Sequence, residues 1–220
     1  EHLLRTTNVP TGVALIAVQS DGNNSIVVSP GANSELTPED VMAIELILEA
    51  KVVLLQAEIP LETVVAAARM AKGTIIWNPA PVPEENVPLE LLDLVDVLIP
   101  NQSELELLVG TETAGSIERI VEKAKTLPCS STIVTLGGQG AVVVANNKAV
   151  HIPAPEISPV DTTAAGDSFC AAIATSLVED KDLVEAAQWA VQVGSATTLA
   201  AGAQPSLPTS EEVHQRLKGG

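Results

Sequence analysis

Short apolar runs alternating with helical periodicities constrain this chain more than any other feature. From residue 52 onward the strand candidates are Val52–Gln56, Thr74–Asn78, Val95–Ile99, Thr132–Leu136 and Ala141–Ala145. Around them the spacing predicts helices over Pro38–Glu49, Leu61–Ala71, Ser103–Val109, Ser116–Leu127, Asp167–Val178 and Leu183–Ala200. Strands that are apolar throughout must be covered on both sides, which calls for a parallel sheet with helices on both faces, an α/β fold in three layers. Ligands of such folds sit beyond the carboxyl ends of the strands. Asn78, Pro100-Asn101 and Gly137 all fall at predicted strand ends. Ahead of this region Val13–Val18 and Ser25–Val28 flank Asp21-Gly22-Asn23-Asn24, a Gly/Asn-rich connection that reads as a β-hairpin.

A chain of 220 residues buries one sizeable core. Trp77, Trp189 and Phe169 are its only aromatic residues, so that core is aliphatic. The formal net charge of −17 argues against nucleic acid and anionic membrane surfaces as partners. It does not forbid a nucleotide, because local donors and a bound cation outweigh a screened distant field. Cys129 and Cys170 lack metal-ligand or redox spacing and read as buried free thiols in a reducing compartment. No apolar run is long enough to span a bilayer and no signal peptide is visible, so a cytoplasmic location is expected. His2, His151 and His214 show no ligand spacing, and the tail from Lys218 to Gly220 is expected to fray.

The stretch Asp161-Thr162-Thr163-Ala164-Ala165-Gly166-Asp167-Ser168 carries the chemistry. A β-compatible lead-in, Ser158 to Val160, precedes it and a small, apolar helical pattern follows. Residues with little or no side chain therefore open a helix, whose free N–H groups and positive dipole end attract anions. Asp167, in the first turn, is badly placed to bind a phosphate and well placed to take a proton from a hydroxyl attacking one. Phosphoryl transfer to an alcohol is one reading; an ordinary helix start is the other.

The same stretch resembles the signature of the ribokinase-type (phosphofructokinase-B-like) sugar kinases, whose usual form has Gly where Ala164 stands. Further blocks follow in that family's order: Asn78-Pro79-Ala80-Pro81, Pro100-Asn101-Gln102-Ser103-Glu104, Val134 to Gly140, and Gly202-Ala203-Gln204-Pro205-Ser206. Thr11 to Ile16 and Pro30 to Asn33 favour the ribokinase branch. The resemblance runs from Thr11 to about Pro208. It implies ATP-dependent phosphorylation of the 5-hydroxyl of D-ribose, with Mg²⁺ required and K⁺ stimulating.

By the same resemblance Asp167 is the catalytic base and also touches the sugar. Ala164, Ala165 and Gly166 form the anion hole, with the Asp167 amide beside them. Asn101 contacts nucleotide phosphates, and Glu104 organises Mg²⁺ through water. Thr135, Leu136, Gly137, Gly138, Gln139 and Gly140 lie along the nucleotide, although such glycines also simply make turns. Asp161, Thr163, Thr197, Ala200, Gly202 and Ser206 match the positions that hold a monovalent cation. Glu58 matches an acid that contacts the sugar, and a surface carboxylate is its plain alternative. Val191 stands where many members place an Asn near adenine.

The family's front segment, with a sugar-binding Asp, a Gly-rich loop and most of the lid sheet, has no match here. The resemblance therefore divides the chain into a lid hairpin, residues 1–30, and a nucleotide-binding α/β domain, residues 31–220. It also keeps open a non-catalytic nucleotide-binding fragment, or an interaction domain, that needs a partner chain. Self-association through an exposed sheet edge or the hairpin is expected on either reading.

Overall fold

The computed structural model describes residues 3–18, 24–83, 86–113 and 115–219. Among the described residues strand β1 (Val13–Val18) pairs only with β2 (Asn24–Ser29), antiparallel, with Leu15 opposite Val27. The hairpin is therefore present, while Asp21, Gly22 and Asn23 of its connection lie outside the described residues.

The second sheet has six strands in sequence order: β3 (Val52–Leu55), β4 (Thr74–Trp77), β5 (Val97–Leu98), β6 (Ser131–Thr135), β7 (Ala141–Ala145) and β8 (Lys148–Ile152). The first four are parallel; β7 and β8 run antiparallel, so the sheet is mixed rather than wholly parallel. The cause is two tight turns where a parallel crossover would need a dozen residues or more. One is Leu136 to Gly140. The other is Asn146-Asn147, both at positive φ (50° and 63°), the conformation a two-residue hairpin requires. Sequence patterning overlooked β8 because four of its five residues are exposed.

Alternating side chains of the strands feed two faces. Ile76, Val97, Ile133, Ala141 and Val143 pack under α7 (Ala165–Val178) and α8 (Leu183–Thr197), against which α9 (Ser210–Gly219) rests. On the opposite face Leu55, Ile75, Trp77 and Leu98 meet α1 (Pro38–Met42), α3 (Leu61–Met70) and α4 (Leu89–Leu94). Val134, Val142 and Val144 meet α5 (Gln102–Val109) and α6 (Ile117–Ala124) there. The three expected layers are present. The expected helix Pro38–Glu49 is broken: α1 ends at Met42, and α2 (Leu46–Glu49) starts after a three-residue interruption. Helices α4 and α9 were not legible, the first being short and the second polar. Helix α9 runs to Gly219, so Lys218 and Gly219 belong to it rather than to a frayed tail.

Gly140 has φ 90° and ψ −128°, and a Cβ there would collide with the carbonyl oxygen of Ile152. Its glycine is demanded by the backbone of β8. Gly140→Ala is expected to destabilise the fold by about 2 kcal/mol or more, the scale of a strained backbone position. Urea denaturation followed by circular dichroism checks this.

Candidate functional site

Parallel pairing aligns the carboxyl ends of β3 to β6. Leu55 lies opposite Trp77, Trp77 opposite Leu98, and Leu98 opposite Thr132. Gln56, Asn78, Asn101 and Thr135 therefore emerge along one edge. Asn78, nearly buried, donates its Nδ2 to the Ile99 carbonyl at 2.7 Å, locking neighbouring strand ends together. Asn101 bridges in parallel register to Thr135, whose amide donates to the Pro100 carbonyl at 3.0 Å.

Asn101 caps α5. Its Oδ1 accepts from the Glu104 amide at 2.8 Å, while Glu104 Oε2 accepts from the Asn101 amide at 2.7 Å. These two residues are thus a reciprocal cap, a role both would have without any ligand. Glu104 is half-buried, and burial pushes its carboxyl above the ordinary value; the Asn101 amide pulls it only part of the way back.

Helix α7 starts at Ala165 with Ala164 as N-cap in the left-handed region (φ 61°) and no side-chain cap. An L-residue pays roughly 1–2 kcal/mol for that conformation and glycine does not, which is the physical reason a glycine suits this position. The Ala165 amide turns back to the Thr162 carbonyl at 3.3 Å and the Ser168 amide to the Ala164 carbonyl at 3.0 Å. Between them lie the amides of Gly166 and Asp167. A Cβ at Gly166 would meet nothing within 4 Å, so packing does not require glycine there. Asp167 is exposed, and its Oδ1 accepts from Gln56 Nε2 at 3.2 Å.

One cavity of about 330 Å³ joins these parts. It brings Thr135, Gly137, Gly138 and Gly140 together with Ala165, Gly166 and Val191. Leu136 and Gln139 belong to the same turn without lining it; the Gln139 carbonyl is bound by His151 Nε2 at 2.8 Å, a brace given no role by the sequence. Gly137 and Gly138 face open space, as Gly166 does. The opposite wall, Ala154 to Ile157 and Pro159, was missed in the sequence because an irregular segment carries no periodicity.

Behind α7, Asp161 accepts from the Thr163 amide at 2.9 Å and the Gly202 amide at 2.8 Å. Those bonds, Gly202's first, hold its carboxyl below the usual range. They draw together two stretches, 161–163 and 200–206, that lie far apart in sequence. The Thr197 hydroxyl donates within reach of both Ser168 Oγ and the Val193 carbonyl, each at 2.9 Å, and the Thr197 carbonyl accepts from Ala200 at 3.3 Å. Buried Ser206 gives its hydroxyl to the Ala203 carbonyl at 2.7 Å, and its own carbonyl accepts from Arg216 Nη1 at 2.6 Å. Glu58, just past β3, is exposed. Among the described residues no cluster of three His, Cys, Asp or Glu has metal-binding geometry, and no helix is long and apolar enough to cross a membrane.

Residues 1–210 match the pfkB family carbohydrate kinases. A ribokinase of Staphylococcus aureus is 36% identical over 97% of this chain and 72% of its own length. The ribokinase structure from Thermotoga maritima aligns with a TM-score of 0.83 at 37% identity, over 96% of this chain and 70% of that one. A ribokinase of Arabidopsis thaliana, solved with ribose and ATP, aligns with a TM-score of 0.82 at 34% identity and the same coverage of each chain.

The Glu104 carboxyl has a testable linkage. Its folded pKa is raised, so the native state holds its proton at pH values where the unfolded state has lost it, and this contribution to stability declines as pH rises. In EDTA, Glu104→Gln is expected to flatten the fall in thermal stability between pH 4.5 and neutrality while keeping the helix cap. Melting curves of both proteins across that window check it; parallel pH profiles would remove the argument.

Proposed function

The chain belongs to the pfkB family of carbohydrate kinases, and on that premise we propose that it is a ribokinase-type enzyme moving the γ-phosphoryl group of ATP to the 5-hydroxyl of D-ribose. The observation that carries the reading is the meeting of an uncapped helix start with an open glycine turn on one cavity, with Asp167 beside it.

Phosphoryl transfer needs mainly positioning and charge stabilisation. The amides of Gly166 and Asp167, aided by the dipole of α7, face the transferring group and take up its developing charge. Asp167 accepts the proton of the attacking hydroxyl as its oxygen bonds to the γ-phosphorus and ADP departs. Thr135 and the turn from Leu136 to Gly140 lie along the nucleotide, and Val191 faces its base. Asn101 presents its capped end to the phosphates. Glu58, past the end of β3, is the sugar contact.

The residues fit a divalent ion that arrives with the nucleotide, because Mg²⁺ keeps most of its waters and Glu104 supplies an outer-sphere acceptor. When bound, the ion neutralises phosphate charge. They also fit a weakly hydrated monovalent cation such as K⁺. Asp161 accepts from the Thr163 and Gly202 amides and so brings the stretches 161–163 and 200–206 together; Ala200 and Ser206 in that second stretch, and Thr197 at the end of α8, complete the proposed set. Residues 31–220 form the nucleotide-binding domain and residues 1–30 the lid hairpin.

Gly166→Ala separates function from fold. It is expected to leave thermal stability unchanged, since its Cβ meets open space, while weakening binding of a non-hydrolysable ATP analogue measured by calorimetry about tenfold. Asp167→Asn is expected to lower ribose-dependent ADP release by at least about 10²-fold with nucleotide affinity little changed. A mutant that keeps most of its turnover would take Asp167 out of the mechanism.

The hairpin supports a second element of the proposal, self-association. Leu15 and Val27, opposite one another, are 70% and 69% exposed, and Ile16 and Val28 on the other face are exposed too. Apolar area of that kind calls for a partner surface. Light scattering is expected to give a mass above that of one chain, falling to a monomer on Leu15→Lys with Val27→Lys; a wild-type monomer would overturn the assignment.

A further inference from the structure

We propose that Gln56 is a positioning residue for Asp167, holding one carboxylate oxygen so that the other is presented to the hydroxyl; the inference rests on Asp167 being the base. Gln56 Nε2 donates to Asp167 Oδ1 at 3.2 Å across 111 residues of sequence. Ionised carboxylate oxygens only accept, so the side-chain amide must turn its nitrogen toward Asp167.

The donor rides on fixed backbone. The carbonyl of Leu55, immediately before Gln56, accepts from the Asn78 amide at 2.9 Å; the amide of Ala57, immediately after, donates to the Ala80 carbonyl at 3.3 Å. Helix α7 packs directly against β3, so the two side chains meet across a built contact. Asp167 is exposed on the first turn, and without a partner its carboxylate would turn freely about its side-chain bonds. A base benefits from being oriented without being deprived of proton affinity. A neutral amide orients it through one hydrogen bond without setting a positive charge beside it. Among the described residues Cys170, on α7 itself, is influenced by Asp167 and also by Glu104 from α5. Both carboxylates, Asp167 and Glu104, add to burial in pushing the Cys170 thiol up to about 12, so it stays a neutral neighbour.

The test replaces Gln56 with Met, which keeps the length and loses the donor, alone and together with Asp167→Asn. Gln56→Met is expected to lower kcat for ribose-dependent ADP release about tenfold, with KM for ribose and calorimetric ADP affinity within about twofold. In the Asp167→Asn background the same change is expected to cost less than about twofold, since no base is left to orient. A kcat in Gln56→Met within about twofold of wild type, or an equal loss in both backgrounds, would overturn the role of Gln56 while leaving the base assignment intact. Full ribose-dependent turnover by Asp167→Asn would overturn the base, and this inference with it.

Discussion

Parallel pairing of four short strands is the constraint on which the site depends. Because Leu55, Trp77, Leu98 and Thr132 lie in register, the chain must leave the sheet along one edge, and Gln56, Asn78, Asn101 and Thr135 are delivered there. Their side chains then tie the edge together. Asn78 reaches the Ile99 carbonyl, and Asn101 closes its helix cap while bridging to Thr135. Strand β7 starts at this edge and β8 ends there, with Ala141 opposite Thr135 and Ile152 opposite Ala141. They contribute the turn from Leu136 to Gly140, and Ile152 leads into the segment that walls the cavity.

What the sequence made legible follows from this. Continuous apolar runs revealed strands β3 to β7, and three-layer packing followed, since such strands need cover on both faces. The small residues at 164–166 signalled an unusual helix start, and α7 does begin there without a side-chain cap. Strand β8 was hidden because Lys148 to Val150 and His151 are exposed on an edge, where burial writes no pattern into the chain. Its signal was Asn146-Asn147, a pair suited to left-handed turns and overlooked between two runs. Gln56 was invisible as a site residue because its partner lies 111 positions away and its side chain has no chemistry that stands out.

The glycines illustrate why motif and mechanism must be separated by geometry. Val134 to Gly140 reads as one glycine-rich block, yet its glycines answer to different demands. Gly140 is fixed by the backbone of β8, Gly137 by its positive φ of 55°, and Gly138 by neither. Gly138 and Gly166 face open space at the cavity. Glycine where nothing crowds it and no unusual φ is required costs conformational entropy without a return in packing. The return has to come from something that approaches the backbone, and both positions line the same hollow.

Electrostatics then narrows what can approach. The chain carries a formal net charge of −17, and among the described residues lining the cavity there is no Lys or Arg and Glu156 alone is charged, with Asp167 next to the lining Gly166. A polyphosphate entering such a place meets repulsion from side chains and attraction only from amides at the start of α7, an effect equivalent to about half an elementary charge. Amides alone do not balance a nucleotide triphosphate beside two carboxylates. On the proposed function the compensating charge would arrive with the ligand, and a divalent cation bound to the nucleotide would suit this charge layout. Glu104 fits that proposal: burial raises its carboxyl above the ordinary value, and a cation nearby would favour the ionised form. If Glu104 holds the proposed cation, nucleotide and metal binding would be coupled through this half-buried acid, each strengthening the other by the same factor.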